Sequence, residues 1–162
     1  MNKLCGYIKE QAEINFLNLE TALKTYDRNA PVCGAPGWRY AYHTIHSADK
    51  WFFDPNEYEE PSFHEEGMDN PDDPCDVVLS DEELLCYLNE VRLKTRDYLE
   101  GLTDGMLYEK PGNCSFTRFE LVLLQFRHIS FHTGMINGQT VERTGRFPVY
   151  SGAVIRQGLY DE

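Results

Sequence analysis

Between Trp51 and Val91 the chain has no lysine or arginine, yet 14 of its 27 acidic residues fall in that stretch. The other 121 residues hold 13 acids against 15 bases, so the net charge of −12 comes almost wholly from one segment and the rest is nearly neutral. A chain of this kind lacks the basic footprint of a nucleic-acid binder, and its acidic stretch repels phosphate backbones and anionic lipid surfaces; neither nucleic acid nor membrane is an expected partner. No apolar run approaches the roughly 18 residues that a membrane span requires. The opening MNKLCGYIKEQAEINF turns charged before an apolar leader core can form, so no secretory leader is expected. The five cysteines, at positions 5, 33, 75, 86 and 114, are odd in number and form no Cys-x-x-Cys, which argues against a disulfide framework. Cytoplasmic residence is the expectation that follows. A Gly-rich phosphate loop and a Gly-x-Ser-x-Gly elbow are both missing. DNPDDPCD departs from the calcium-loop spacing and breaks it with proline.

What remains is the composition of a globular chain: 162 residues, 41% apolar and 13% aromatic, enough to build one core over residues 1–162 as a single domain. Leu4, Ile8, Ala12, Phe16, Leu19 and Leu23 recur at helical intervals and predict a first helix over 3–26. DRNAPVCGAPG is a loop by its Pro, Gly and Asn content. Trp38, Tyr42, Ile45, Asp49 and Phe52 share one stripe of a second helix over 38–53. Residues 54–79 contain four prolines and no sustained period, and are read as a long crossover or a functional lid whose acids form a solvated face. Ser80 with Glu83, and Thr117 with Glu120, have capping-box spacing and open helices over 80–100 and 117–137. The tail from Gln139 is Gly-rich and read as irregular. Four helices without a convincing strand predict an all-α fold, a four-helix bundle with a long crossover between helices two and three.

Four of the five histidines lie in two of these helices. His128 and His132, four apart in FELVLLQFRHISFHTGMIN, share a helical face close enough to grip one ion. HISFH lacks the glutamate of the His-Glu-x-x-His zinc-protease signature, and the spacing alone also reads as two satisfied core histidines. His43 and His46 in WRYAYHTIHSADKWFF are three apart, and either supplies a third donor from a second helix. Asp49 and Asp54 are further carboxylate candidates. No cysteine has a base at motif spacing, which leaves a catalytic thiol without support. Arg127, beside His128, is a candidate for anion binding or structure. Three ordinary imidazoles would lose a metal as pH falls toward and below their reference pKa of about 6.5.

WRYAYHTIHSADKWFF and FELVLLQFRHISFHTGMING, in this order and separation, resemble the second and last helices of the DinB-like (damage-inducible) metalloprotein superfamily. The last helix has that family's Arg-His-x-x-x-His-x-Gly-x-x-Asn pattern, and the likeness covers most of residues 1–140; RFPVYSGA lacks the tryptophan of the family's C-terminal segment. The resemblance implies a four-helix bundle, often homodimeric, in which three histidines hold a divalent metal (zinc, nickel or iron) with open positions for water. Carried over by motif, the ligands are His43, His128 and His132, with His46 the rival of His43. Members of the family transfer low-molecular-weight thiols such as bacillithiol or mycothiol to small-molecule electrophiles, or isomerise maleylpyruvate with a thiol cofactor, and many have no known reaction. The resemblance therefore implies either a metal-dependent thiol transferase or isomerase, or a non-catalytic metal-binding or stress-associated protein of the same fold. A third reading keeps the helices and makes the histidines structural.

Overall fold

The computed structural model describes residues 2–152, and among them the chain is predominantly helical. Helix α1 (Lys3–Thr25) buries Cys5, Ile8, Ala12, Phe16, Leu19 and Leu23, the stripe set by the 3.6-residue period. Its first turn has no side-chain cap of its own. Instead the Asp104 carboxylate accepts from the Leu4 and Cys5 amides at 3.3 and 2.9 Å, and these bonds hold Asp104 below the usual carboxylate range.

The loop that follows contains a two-residue antiparallel pair, β1 (Pro31–Val32) with β2 (Ala35–Pro36). Cys33 and Gly34 turn it with φ of 47° and 95°, the left-handed conformation that a two-residue hairpin requires. This small hairpin is the one strand pair among the described residues and leaves the fold all-α, as expected. It leads directly into α2 (Gly37–Trp51), which ends two residues earlier than its periodicity predicts.

Residues 52–80 contain no helix or strand, as the prolines predict, yet the segment is firmly anchored. Met68 is completely buried, and the guanidinium of Arg39, itself 5% exposed, donates to the carbonyls of Gly67, Asn70 and Asp73 at 2.6, 2.6 and 3.0 Å. One buried arginine thus serves three backbone acceptors of a loop that has no ladder to satisfy them.

Helix α3 (Asp81–Glu100) and helix α4 (Arg118–Thr144) both open with the expected reciprocal cap. The Glu83 amide donates to Ser80 Oγ at 3.2 Å while Glu83 accepts from the Ser80 amide at 2.7 Å, and Thr117 with Glu120 repeats the pair at 3.3 and 2.7 Å. A short 3-10 turn, Met106–Tyr108, lies between them.

Helix α4 runs seven residues past the predicted stop, through Gly138, and ends at Gly145 with φ 67°. Only residues 145–152 of the described tail are irregular; residues 153–162 of the tail expected to be irregular lie outside the described residues. The added turns are held from a distance: the Gln139 amide donates to the carbonyls of Asp27 and Ala30 at 2.9 and 2.7 Å, and Thr140 is buried. These contacts outweigh the roughly 1 kcal/mol that a mid-helix glycine costs.

Helices α1 and α2 each pack against both α3 and α4. Phe16, Leu19, Tyr42, Ile45, Phe52, Leu84, Ile129 and Ile136 fill the space between them. Among the described residues no helix is long and apolar enough to cross a membrane. All five cysteines are free.

Candidate metal centre

The contact between α2 and α4 carries the site. His128 and His132 stand one turn apart on α4 with ring centroids 4.5 Å apart, and His43 of α2 meets them at 4.9 and 4.8 Å. One ring nitrogen from each of the three lies within 4.8 Å of the other two.

The protonation of His43 follows from its partner. Its Nδ1 is 2.6 Å from the Asp69 carbonyl oxygen, which can only accept, so Nδ1 carries the proton. In the neutral ring the lone pair is then on Nε2, which stands 3.0 Å from His128 Nε2. A backbone carbonyl on the outer nitrogen is the usual device for orienting a metal-ligating histidine. Two nitrogens each about 2.0–2.1 Å from one ion stand about 3.0 Å apart at a right angle and about 3.4 Å apart at the tetrahedral angle, so the observed separation fits a shared ion.

Burial decides the charge state of the other two. It pushes His128 down to about 3, aided by the neighbouring His132 and His43, and pushes His132 down to about 4, aided by His43. Both rings are neutral at pH 7 and offer lone pairs. His128 Nδ1 and His132 Nδ1 are buried and have no protein partner, so neither ring has the outer hydrogen bond that the Asp69 carbonyl gives His43. The donor chemistry therefore fits a divalent ion of the zinc, nickel or iron kind, for which imidazole is a good ligand.

Aromatic rings wall one side. Tyr40 and Phe131 lie 5.8 and 5.1 Å from His132. On the other side a cavity of about 390 Å³, lined by Leu124, Arg127, His128 and Phe131, opens onto His128. This places Arg127 beside the histidines at a cavity edge, a position that helix geometry alone left undecided.

The remaining candidates lie elsewhere. His46 is turned away from the triad, with its Nε2 2.6 Å from a Glu60 carboxylate oxygen. Asp49 is occupied by Lys94 at 2.6 Å and by the Tyr87 hydroxyl at 3.0 Å, and Asp54 accepts from the Asn56 amide. A second cavity, of about 510 Å³ and lined in part by Asp49, Asp54 and Lys94, includes none of the three histidines.

Sequence reasoning missed Asp69, Arg39, Glu60 and His64. The first acts through its backbone, which leaves no side-chain signal. Arg39 stands one turn before His43, and both reach into the same loop, the arginine to Gly67, Asn70 and Asp73 and the histidine to Asp69. Glu60 and His64 had a faint signal in their four-residue spacing. The expectation that the acidic stretch is only a solvated face fails at Glu60, which pairs with a buried histidine.

No family model, curated protein or solved structure matches this chain.

Proposed function

We propose that the chain is a divalent-metal-binding protein of the DinB-like kind, a four-helix bundle in which residues 52–80 form the crossover, and that it transfers a low-molecular-weight thiol to a small-molecule electrophile. The observation that carries this reading is the convergence of His43, His128 and His132 from two helices, with His43 fixed by the Asp69 carbonyl and the other two rings neutral. An ion held there would lower the pKa of a bound thiol and supply thiolate at neutral pH.

The chain's own residues do the rest. Asp69 fixes the tautomer and aim of His43. Phe131 and Leu124 offer apolar surface to the organic part of a substrate, and Arg127 attracts an anionic group in the same cavity. In the transfer the thiolate sulfur forms a bond to the electrophilic carbon, the leaving group departs with its electron pair, and the thiol proton passes to solvent.

With bacillithiol or mycothiol and a chlorodinitroarene electrophile, turnover should rise in proportion to metal content and fall at least 100-fold in His132→Ala. Metal held at one equivalent without turnover for any thiol would favour the second reading, a non-catalytic metal-binding or stress-associated protein. One observation supports that alternative: all four residues lining the cavity belong to α4, and none is suited to proton transfer at neutral pH, since burial holds His128 down to about 3.

We further propose a homodimer. The support is the resemblance, whose members are often homodimeric, and the two-fold dimer is the commonest oligomer of soluble chains. Light scattering at micromolar concentration should give twice 18.8 kDa; a mass near 18.8 kDa would refute the dimer.

A further inference from the structure

His46 lies one turn beyond His43 on α2, is 3% exposed, and faces the acidic crossover rather than α4. Its Nε2 is 2.6 Å from Glu60 Oε2, and His64 Nδ1 is 3.8 Å from the same oxygen. The two imidazoles stand 4.9 Å apart between centroids. One ligand atom from each of the three residues lies within 4.8 Å of the other two.

The cluster is a built one. Tyr42, fully buried, has its hydroxyl 2.6 Å from His64 Nδ1; with Nδ1 donating to the tyrosine oxygen, the lone pair of the neutral ring stands on Nε2, which is then the nitrogen that His64 offers. Tyr58 stands edge-on to His46 at 5.5 Å. Phe63, one residue before His64, packs edge-on against Tyr87 at 5.2 Å and pins the crossover to the helices.

We propose that His46, Glu60 and His64 form a second divalent-metal site, separate from the three-histidine centre and taking an ion of the zinc or iron class. Two imidazoles and one carboxylate are a donor set that suits such ions. The surroundings favour a cation: residues 51–91 carry 14 acids and no lysine or arginine, and such a one-signed segment raises the local cation concentration. Lys50 is the nearby opposing charge, 3.8 Å from Glu60, but it meets Oε1 and leaves Oε2 to the histidines.

The 2.6 Å contact between His46 and Glu60 holds a proton on Nε2; an ion that takes this nitrogen displaces the proton to Nδ1, the other tautomer of the same neutral ring. Glu60, with a side chain 43% exposed, has room for the few tenths of an ångström by which the pair must open. The site gives the acidic crossover a role, because an ion shared by α2 and residues 60–64 would staple the loop that also presents Asp69 to His43.

The test is zinc stoichiometry on the full chain, stripped with chelator, reloaded with zinc chloride, desalted and read by elemental analysis. Wild type should retain two equivalents, and His64→Ala and Glu60→Gln should each lose one. His132→Ala should lose the other, and the His64→Ala/His132→Ala double variant should lose both. Because Glu60 is half-exposed, Glu60→Gln keeps the test valid even if His64→Ala misfolds. If Glu60→Gln retains the wild-type zinc content, the second site is refuted whatever happens at His132. If Asp72→Asn, an exposed acid outside the cluster, loses as much zinc as Glu60→Gln, the binding is diffuse and the proposal falls. Loss of one equivalent in Glu60→Gln with none lost in His132→Ala would uphold this site and refute the three-histidine centre.

Discussion

Stripping the metal from the loaded protein at pH 7.5 should lower its melting temperature by roughly 5–10 °C. The size follows from mass action: an ion that binds the native state alone, at a free concentration 100 times its dissociation constant, adds about 2.7 kcal/mol. For a chain of this length each kcal/mol moves the midpoint by about 2–4 °C. His132→Ala should remove most of this metal-dependent shift. His132 is 9% exposed and sits at the α2–α4 contact, so its loss deletes one ligand and some packing while α4 keeps its Thr117 cap and its Gln139 anchor. The variant should therefore keep its helical circular dichroism, and in a Glu60→Gln background, where the second site is also gone, it should melt at one temperature with or without zinc. Differential scanning fluorimetry with chelator and with zinc checks both. A midpoint indifferent to either would return the three rings to the core-histidine reading and remove the chemical basis of thiol activation.

The helices were legible because their signals are local. Both capping boxes place their helix starts within a residue, since Ser80 with Glu83 and Thr117 with Glu120 act over three residues. The end of α4 was not legible. Gly138 speaks for a stop within the local sequence, whereas the contacts that carry the helix onward join Gln139 to carbonyls more than 100 residues away. The pairing of His128 with His132 was likewise written in one helix. The choice between His43 and His46 was not, because three residues along a helix turn a side chain by only about 60° and leave both on nearly the same face. What separates them is what packs on each edge of α2: His43 meets His128 of α4, whereas His46 meets Glu60 of the segment 52–80. A segment without period offers no register from which to infer where Glu60 and His64 land.

The second large effect is on pH. Sequence alone predicts titration of the site near 6.5, but burial pushes His128 and His132 well below it. In the unfolded chain His128 and His132 bind protons near the reference value of about 6.5. In the folded, metal-free protein burial and the adjacent imidazoles push them down to about 3 and about 4. Between these limits the unfolded state binds more protons, so stability falls as pH falls. The contribution of the neutral rings is complete above about 6.5 and is lost progressively as pH drops through 4 and then 3.

One pKa unit is about 1.4 kcal/mol, and solvent screening at the half-buried His128 discounts its share, so the two rings together should cost the metal-free protein on the order of 2–4 kcal/mol between pH 7 and pH 4. Urea unfolding of stripped protein at pH 7, 6, 5 and 4 should show this decline beginning near 6.5, above the range in which the carboxylates of Glu83, Asp104 and Glu120, all held low, begin to take up protons. A variant with His128→Gln and His132→Gln should lose the part of the slope between 6.5 and 4.5 and keep the rest. Metal release should shift in the same direction. Protons compete for His128 and His132 only as pH approaches 4, so the loaded protein should resist acid further down the scale than three ordinary imidazoles would. An unchanged slope in the double variant would mean that the two rings are not held neutral by burial, and the electrostatic account of the site would fail with it.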